Sequence, residues 1–544
     1  MVSFLGFSIV YRKWSVEAWQ YPISYQADHL AVHFYTRMYS TGQLIPFLSK
    51  SVPIMNAPNG VDLSDLPNNE DILYYTIAVF QKFFGQFFGA NLAVVALMIL
   101  NGLSFYLFLT YYGIRNNLST AGGVLVALSH FMLLRGFEHV MLIGAWFLPF
   151  MLIISDWCFN STTVWTKNKK IFTGLVSLTT GLSFPYYTFI FGQFLFFGAI
   201  KHALQKKGRL IVAPMFAIAL SIFGLALGQI DTFLYRLKAG PNTLILTRDL
   251  SSIEQYSMKI ADLFLPYTHL IKGFQNWAHK IYYDRPFLIH TEPGFSYLGL
   301  IGCLAFVYAI GIPIWHFFRG KKQEVDSFWL YLYWLVGFSI SGGLNFLISI
   351  VAGMYLFRCT NRYSILVLII SLFLFFRKVN PHWGRQAAIA LICIALIDLP
   401  ARTRFTEYAE IKNRVDADRD FVSKIEKNLP AGAMIFQLPV VDFPEYPKLF
   451  EMTDYEHFRP VLYSSQFRWS YASMKGRPDN DWQKEAERKS ITELVLLLRE
   501  KGFSAIYLNK RGFADRGQKM MDELKLYLPS ATEIVSDDLY LIKI

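Results

Sequence analysis

The segment that decides the fold is Leu92–Ile114, LAVVALMILNGLSFYLFLTYYGI, which contains no charged residue. About 20 consecutive apolar residues form a helix that can cross the hydrocarbon core of a bilayer, because a helix satisfies its own backbone hydrogen bonds. Nine further apolar segments follow it: Ser119–Leu134, Met141–Cys158, Ile171–Tyr187, Thr188–Leu204, Leu210–Gln229, Tyr297–Phe318, Ser327–Gly343, Tyr363–Phe376 and Gln386–Leu399. With an incomplete segment at the start of the chain, this pattern predicts an α-helical polytopic membrane bundle of about 10–11 spans.

The composition agrees with a membrane protein. Of the 544 residues, 53% are hydrophobic and only 17% are charged, which is outside the range of average soluble domains. The net charge of +12 falls largely in short loops between apolar segments, so no nucleic-acid partner is needed to explain it. The four cysteines lie in or beside apolar segments, and their spacing shows neither a disulfide framework nor a metal-binding cysteine pair.

Five basic clusters separate the apolar segments and set their orientation. They are Arg115; Lys167, Lys169 and Lys170; Lys201, Lys206, Lys207 and Arg209; Arg319, Lys321 and Lys322; and Arg377, Lys378 and Arg385. Basic loops stay in the cytoplasm, so all five are assigned to that side. The alternate loops, the chain before Asn91 and the chain after Pro400 are then predicted to lie on the outer side.

The first apolar run, Val2–Val10, is too short to cross a bilayer and is followed at once by Arg12 and Lys13. We expect it to be the remainder of a first span. A cleaved signal peptide is the alternative, but its basic residues would precede the apolar run instead of following it.

The chain divides into three predicted parts. Residues 1–90 hold the incomplete first span and an acidic outer loop with two surface helices, within His29–Leu48 and Ile72–Phe88, whose aromatic and lysine content suits the membrane interface. Residues 91–400 form the bundle, with an outer loop at 230–294. Residues 401–544 contain many charges and no spanning run, which predicts a soluble outer α/β domain.

The local pattern of the last part supports the α/β class. Ala433–Leu438, Ser504–Leu508 and Leu539–Ile544 have the composition of strands. Between the first two, Ser490 and Glu493 form a capping box that starts a helix ending near Gly502. A helix followed closely by a strand predicts a small mixed or parallel sheet.

Asp28 is the candidate general base. A reaction that activates an acceptor hydroxyl near the membrane surface needs a carboxylate or imidazole to take its proton. Asp28 comes shortly after the incomplete first span, which distinguishes it from the acids at Glu70 and Asp71. The alternative is a solvated loop acid or a helix cap.

Arg358 and Arg362 precede an apolar segment on the predicted outer side. Residues four apart in one helical turn point the same way, and two guanidinium groups there would bind a lipid phosphate. The alternative is that they extend to ordinary headgroups.

The remaining candidates are weaker. Polar residues cluster near the end of a predicted helical hairpin and in the 230–294 loop, and cations alternate with aromatic residues in the last domain, which suits carbohydrate. The candidates for substrate binding are Glu70, Asp71, Arg135, His139, His269, His290, Glu292, Arg468 and Trp469. Isolated histidines are more often structural than ligands, and core packing of Trp469 is equally compatible with its sequence. Neither HExxH nor a Gly-rich phosphate loop is present, so no metal site is assigned.

The order of parts resembles the GT-C superfamily of polytopic glycosyltransferases, and especially its bacterial YfhO-like and O-antigen-modifying members. The matching features are Gln26 to Asp28, the loop from Asn56 through Gly60 to Pro67, and Phe357 to Arg362. The resemblance covers the whole chain in architecture and is diffuse in sequence. It departs from the pattern in the incomplete first span.

The resemblance implies a bacterial inner-membrane enzyme whose C-terminal domain is periplasmic. Asp28 would be the base, and Arg358 and Arg362 would bind the phosphate of a polyprenyl-phosphate sugar donor, in an inverting transfer to a glycan or lipid-linked acceptor. No cofactor is assigned; a divalent cation is compatible with such a donor but not required. Two other classes stay open at this stage, a transporter of lipid-linked sugars and a non-catalytic glycan-binding scaffold.

Overall fold

The computed structural model describes residues 1–163, 165–286, 290, 292–320, 326–353 and 355–544, so Lys321 and Lys322 of the fourth basic cluster lie outside the described residues. Within the described residues the chain is mostly helical. Four of these helical segments are long and apolar enough to cross a membrane: Gln86–Tyr111, Asn116–Arg135, Gly208–Gly228 and Gly299–Phe318. By length and composition, the chain is a membrane protein.

The described chain forms two compact units. The first, here called the bundle unit, contains Met1–Val16, Leu92–Gly228 and Arg248–Arg404. The second, here called the sheet unit, contains Glu17–Asn91, Gln229–Thr247 and Phe405–Ile544. The three-part division of the sequence at residues 90 and 400 stays a prediction.

Every predicted apolar segment of the bundle unit contains a helix. The α-helices that lie wholly within this unit are Val2–Tyr11, Asn116–Ala127, His130–Arg135, Val140–Ile143, Leu148–Asn160, Lys167–Ser183, Pro185–Leu204, Gly208–Gly228, Leu250–Tyr256, Ile260–Phe264, Lys272–Ala278, Gly299–Phe318, Ser327–Ser339, Leu344–Ala352, Ser364–Val379 and Arg385–Ile397. A π-helix spans His279–Tyr283, and 3₁₀ turns span Tyr355–Phe357 and Thr360–Tyr363. The predicted outer loop is thus largely helical where it is described.

Three predicted spans are not continuous helices but are each divided between two: Ser119–Leu134, Met141–Cys158 and Ile171–Tyr187. Met141–Cys158 is divided between the helices Val140–Ile143 and Leu148–Asn160. Gly144 follows the first helix, and Pro149 lies in the first turn of the second. Proline has no N–H to donate and a fixed φ, so it starts a helix well and continues one poorly.

Small residues bring two bundle helices close together. A Cβ atom on Gly181 would collide with the carbonyl oxygen of Ser221 and would lie 2.8 Å from the backbone nitrogen of Leu225. A Cβ atom on Gly224 would lie 2.7 Å from the carbonyl oxygen of Leu178. Backbone contact of this kind supplies van der Waals packing between membrane helices, where water provides no hydrophobic driving force.

The sheet unit contains a five-stranded mixed sheet, which confirms the predicted α/β pattern. Its strand order is Arg468–Trp469, Met434–Leu438, Phe503–Asn509, Leu539–Lys543 and Glu533–Val535. The first three strands are parallel, and the last two pairings are antiparallel. A separate short antiparallel pair joins Ser51–Val52 to Val61–Asp62.

Helices complete the sheet unit. They are Asp28–Ser40, Asp71–Phe84, Ile230–Ala239, Phe405–Asn428, Pro478–Glu487, Ile491–Glu500 and Gln518–Tyr527. Ser490 and Glu493 form the predicted capping box, and the helix they start packs Leu494 and Leu498 into a core with Ile506 of the central strand. The first predicted surface helix ends at Ser40 instead of Leu48.

Candidate active site

The bundle unit holds a buried charge pair between Arg135 and Glu292. Ser129 caps the short helix His130–Arg135, which places Arg135 in its last turn. The side chain of Arg135 is fully buried, and its Nη1 lies 2.8 Å from Oε2 of Glu292. The ring of Phe295 lies 4.7 Å from the guanidinium carbon. A buried guanidinium requires such a partner, because an unpaired charge loses its hydration without compensation.

Glu292 gathers further partners around its carboxylate. Asn361 donates to its Oε2 at 2.8 Å, and Arg362 and His139 approach its Oε1 at 4.0 and 3.9 Å. Burial alone would raise the pKa of Glu292, but the positive charges of Arg135 and Arg362 hold it at about 2. Glu292 is therefore charged at any physiological pH.

His139 stays neutral in this cluster. Burial and the neighbouring Arg135 guanidinium lower the pKa of His139 to about 4, against the opposing charges of Glu292 and Glu138. Glu138 is itself paired with Arg402 at 3.0 Å. The cluster thus combines fixed charges with one neutral imidazole, whose side chain is 18% exposed.

The expected geometry of Arg358 and Arg362 is wrong. They do not share one helical turn, because Arg358 lies between the 3₁₀ turns Tyr355–Phe357 and Thr360–Tyr363. The guanidinium of Arg358 lies 4.7 Å from the ring centre of Tyr256, whereas that of Arg362 lies 5.0 Å from the ring centre of Tyr186.

Tyr256 nevertheless connects the two arginines. Burial raises the pKa of Tyr256, whereas the charges of Arg358 and Arg362 lower it, so its hydroxyl lies within electrostatic range of both. Both guanidinium groups thus act on the charge of one tyrosine hydroxyl although they rest on different aromatic rings.

The predicted group of His269, His290 and Glu292 is divided in the structure. Glu292 joins Arg135, and His290 packs on the rings of Tyr282 and Tyr283 at 4.7 and 5.0 Å. His269 instead forms a buried cluster with His130 and Asp398, whose potential ligand atoms all lie within 4.8 Å of one another. Sequence separation hid this cluster, because its members come from three distant parts of the chain.

The hydrogen bonds of this cluster do not fit a metal ion. The backbone N–H of Ile271 donates to Nδ1 of His269 at 2.9 Å, so the ring proton must be on Nε2. That N–H donates to Oδ1 of Asp398 at 2.9 Å, and a protonated nitrogen has no lone pair for a metal. Tyr297 and the N–H of Leu300 also donate to Asp398. The cluster is therefore a hydrogen-bonded structural group.

In the sheet unit, Asp28 is an exposed carboxylate at the first residue of the helix Asp28–Ser40. The N–H of Ala27 donates to Oγ1 of Thr453 at 3.2 Å, which ties the start of this helix to a segment 426 residues later in the chain. Burial raises the pKa of Tyr74 and Tyr455 well above its ordinary value, and the charge of Asp28 adds to the shift in both. Asp28 is thus an exposed acid whose charge acts on two buried tyrosines.

Glu70 and Asp71 have different surroundings. Asp71 is buried, accepts a hydrogen bond from Tyr39 at 2.8 Å and is paired with Lys50 at 3.1 Å. Lys50 also contacts Asp231 at 2.5 Å, so Asp71, Lys50 and Asp231 form one ionic group. Burial raises the pKa of Glu70 to about 7, although the N–H of Asn69 donates to it. Of the two, Glu70 is the group that can exchange a proton at neutral pH.

The substrate-binding prediction for Trp469 is wrong. Its side chain is completely buried, with the rings of Phe467 and Tyr507 at 6.1 and 5.9 Å, so it packs in the core. Arg468, the preceding residue on the same strand, donates to the carbonyl oxygen of Pro58. Alternation along a strand places neighbouring side chains on opposite faces, which explains why only one of the two is buried.

Several members of these groups had no clear signal in the sequence. Tyr256, Asn361 and Lys50 are ordinary polar residues far from the candidates that they contact, and Asp231 joins them through Lys50. Only the spatial arrangement identifies them.

The comparisons with known proteins give one family and several distant likenesses. The family model described as a domain of unknown function, DUF6311, matches residues 77–399. No curated protein matches the chain.

Among solved structures, the oligosaccharyltransferase of Archaeoglobus fulgidus in complex with Zn and sulfate is 11% identical, with 98% of this chain and 71% of that chain covered and a TM-score of 0.45. ArnT from Cupriavidus metallidurans bound to undecaprenyl phosphate is 12% identical, with 99% of this chain and 97% of that chain covered and a TM-score of 0.46. The third structure is the archaeal oligosaccharyltransferase AglB from Archaeoglobus fulgidus in complex with an inhibitory peptide and a dolichol-phosphate. It is 12% identical, with 94% of this chain and 69% of that chain covered and a TM-score of 0.43.

These three likenesses are too distant to assign an activity. The family model is different, because it matches residues 77–399 of 544, which is more than half of the chain. The chain therefore belongs to the DUF6311 family.

Proposed function

We propose that the chain is a GT-C-type membrane glycosyltransferase that moves a sugar from a polyprenyl-phosphate carrier to a cell-surface glycan or lipid-linked acceptor. It acts in the bacterial inner membrane as a multi-pass bundle of about 10–11 spans, with its C-terminal α/β domain on the periplasmic side. The observation that carries the proposal is the state of Asp28, an exposed carboxylate at the head of a helix, where an acceptor can reach it.

Asp28 acts as the general base. It takes the proton of an acceptor hydroxyl as that oxygen forms a bond to the anomeric carbon of the donor sugar. The bond from this carbon to the carrier phosphate breaks, and the phosphate leaves with the electron pair. Attack opposite to the leaving group inverts the anomeric centre.

Arg358 and Arg362 stabilise the departing phosphate. Nε of Arg362 is buried without a hydrogen-bond partner among the described residues, so it can donate to a phosphate oxygen. Glu292 and Asn361 limit the motion of Arg362 and of the segment that carries it. Donors fixed in advance stabilise developing charge without reorganising during the reaction. Because these groups are cationic, a divalent metal is not required.

The test uses Asp28→Asn in the full-length protein, reconstituted in liposomes with a radiolabelled polyprenyl-phosphate sugar and an acceptor extract from cells that lack the gene. We expect transfer to fall at least about 100-fold, the usual contribution of a general base, while the amount of inserted protein is unchanged. Glu407→Gln is the matched control, because Glu407 is also an exposed acid in the first turn of a helix of the sheet unit.

Two results would reject parts of the proposal separately. Normal transfer by Asp28→Asn would remove Asp28 as the base. Absence of transfer by the wild type, together with an unchanged cell-surface glycan by mass analysis after gene deletion, would reject the glycosyltransferase itself.

A further inference from the structure

The sheet unit contains a polar cavity of about 330 Å³ whose lining includes Arg37, Gln86, Phe87, Arg419, Glu426 and Tyr463. This volume is near the lower end of the range of about 300–1,000 Å³ for small-molecule sites. None of these residues is used by the proposed glycosyl transfer. The cavity therefore needs an explanation of its own.

Arg37 is the most informative residue of the lining. It lies in the last turn of the helix Asp28–Ser40, and its Nη1 donates to Oε1 of Gln86 at 3.2 Å. Its Nε is buried without a hydrogen-bond partner among the described residues, and the same is true of Nε2 of Gln86. Both groups are donors. A buried guanidinium without an anion is unfavourable, so the site is arranged to receive an acceptor.

The charges around Arg37 do not neutralise it. Burial lowers the pKa of Arg37, and the opposing influence comes from the Tyr463 hydroxyl and from no carboxylate among the described residues. Glu426 in the same lining accepts a hydrogen bond from Ser464 at 2.6 Å. Arg419 adds a second guanidinium, which lies 3.3 Å from Asp416 and is 54% exposed. The lining itself thus carries two cations and one acid, and Arg419 is shared with Asp416, which lies outside the lining.

The other walls favour a ligand with an apolar or ring-shaped part. The rings of Phe87 and Tyr463 lie 6.5 Å apart at a steep angle. Gln86 and Phe87 form the first turn of the helix Gln86–Tyr111, whose dipole attracts negative charge. That helix is also the first candidate span by length and composition.

We propose that this cavity binds a phosphate group carried by a sugar or by a lipid. Arg37 and Arg419 pair with the phosphate oxygens, the amide of Gln86 donates a further hydrogen bond, and Phe87 and Tyr463 contact the attached group. Guanidinium groups match phosphate oxygens in geometry and charge. The inference holds whether or not the chain transfers sugars.

The test measures binding to the full-length protein in dodecyl maltoside, which contains no phosphate. Inorganic phosphate and glucose 1-phosphate are titrated by calorimetry, and retention of phosphatidylglycerol is measured by native mass spectrometry. All variants carry Arg358→Gln and Arg362→Gln, so that binding in the bundle unit does not contribute. We expect Arg37→Gln and Arg419→Gln each to weaken binding about tenfold, as for loss of one charged hydrogen bond. Binding by the soluble probes would identify a sugar phosphate, and binding of phosphatidylglycerol alone would identify a lipid headgroup.

Arg499→Gln is the matched control, because Arg499 is an exposed arginine of the sheet unit outside the cavity, and it should bind as the wild type does. Arg419 is largely exposed, so its substitution tests the site even where Arg37→Gln disturbs folding. Binding of no probe, or equal affinity in Arg419→Gln and the control, would overturn the proposal.

Discussion

The raised pKa of Glu70 predicts how the stability of the protein depends on pH. Burial raises its pKa from the ordinary 4.5 to about 7, so the folded state favours the protonated form. Below pH 4.5 the Glu70 carboxyl group is protonated in both the folded and the unfolded state, so its burial carries no penalty for a charge. The penalty grows as the pH rises and is complete above pH 7, where the folded state must hold a buried charge.

Glu70→Gln should therefore stabilise the protein at pH 8 and have little effect at pH 5. Glutamine does not ionise, and its side-chain oxygen still accepts from the N–H of Asn69. We expect a gain in the free energy of unfolding of about 1–3 kcal/mol at pH 8. Thermal unfolding in detergent at both pH values measures it, with the exposed Glu485→Gln as control. Equal gains in the free energy of unfolding at both pH values would contradict a raised pKa for Glu70.

The residue types of the candidate site could be predicted from sequence, but their partners could not. The pattern identified Arg135, His139 and Glu292 as polar residues at the ends of apolar segments. It assigned Glu292 to the two histidines of its own loop, whereas its carboxylate pairs with Arg135. Which of several nearby cations a carboxylate meets depends on packing between distant segments, and local sequence does not encode that.

At the scale of elements, the close approach of two bundle helices depends on Gly181. The helices Lys167–Ser183 and Gly208–Gly228 meet there with backbone against backbone. An added methyl group would meet main-chain atoms, which cannot rotate away as a side chain does. The helices would have to separate or shift.

Gly181→Ala should therefore lower the free energy of unfolding by about 1–3 kcal/mol, as overpacking does. Gly192→Ala is the matched control, because Gly192 lies within the neighbouring helix Pro185–Leu204 and nothing approaches its Cβ position within 4 Å. Alanine forms helices better than glycine, so the control should be neutral or slightly stabilising. Thermal unfolding of the two variants in the same detergent measures the difference. A control as unstable as Gly181→Ala would show that helix packing is not the cause.

Elements were more predictable than their ends and breaks. Apolar length located every helix of the bundle that the sequence proposed, and strand composition located three strands of the sheet. The break between Ile143 and Leu148 was missed, because hydropathy does not distinguish a continuous helix from two helices joined by an apolar turn. The early end at Ser40 was missed for a similar reason, since aromatic and aliphatic residues continue to Leu48.

At the scale of the whole molecule, the placement of charge predicts which loops face the cytoplasm. The five basic clusters lie at alternate ends of the apolar segments, and the acidic and mixed-charge segments fall on the other side. Moving a basic loop across the membrane is unfavourable, so the clusters set the orientation together. This assignment puts Asp28 and the C-terminal residues 401–544 on the outer side.

Labelling of single cysteines in cells would test this orientation. In a background without Cys158, Cys303, Cys359 and Cys393, a membrane-impermeant maleimide should label Glu485→Cys in intact spheroplasts and Lys207→Cys only after the membrane is permeabilised. Both positions are exposed, so a difference in labelling reports the side of the membrane instead of burial. Equal labelling of each variant after permeabilisation is the internal control. Labelling of Lys207→Cys in intact spheroplasts would reverse the orientation and place Asp28 in the cytoplasm, away from a periplasmic acceptor.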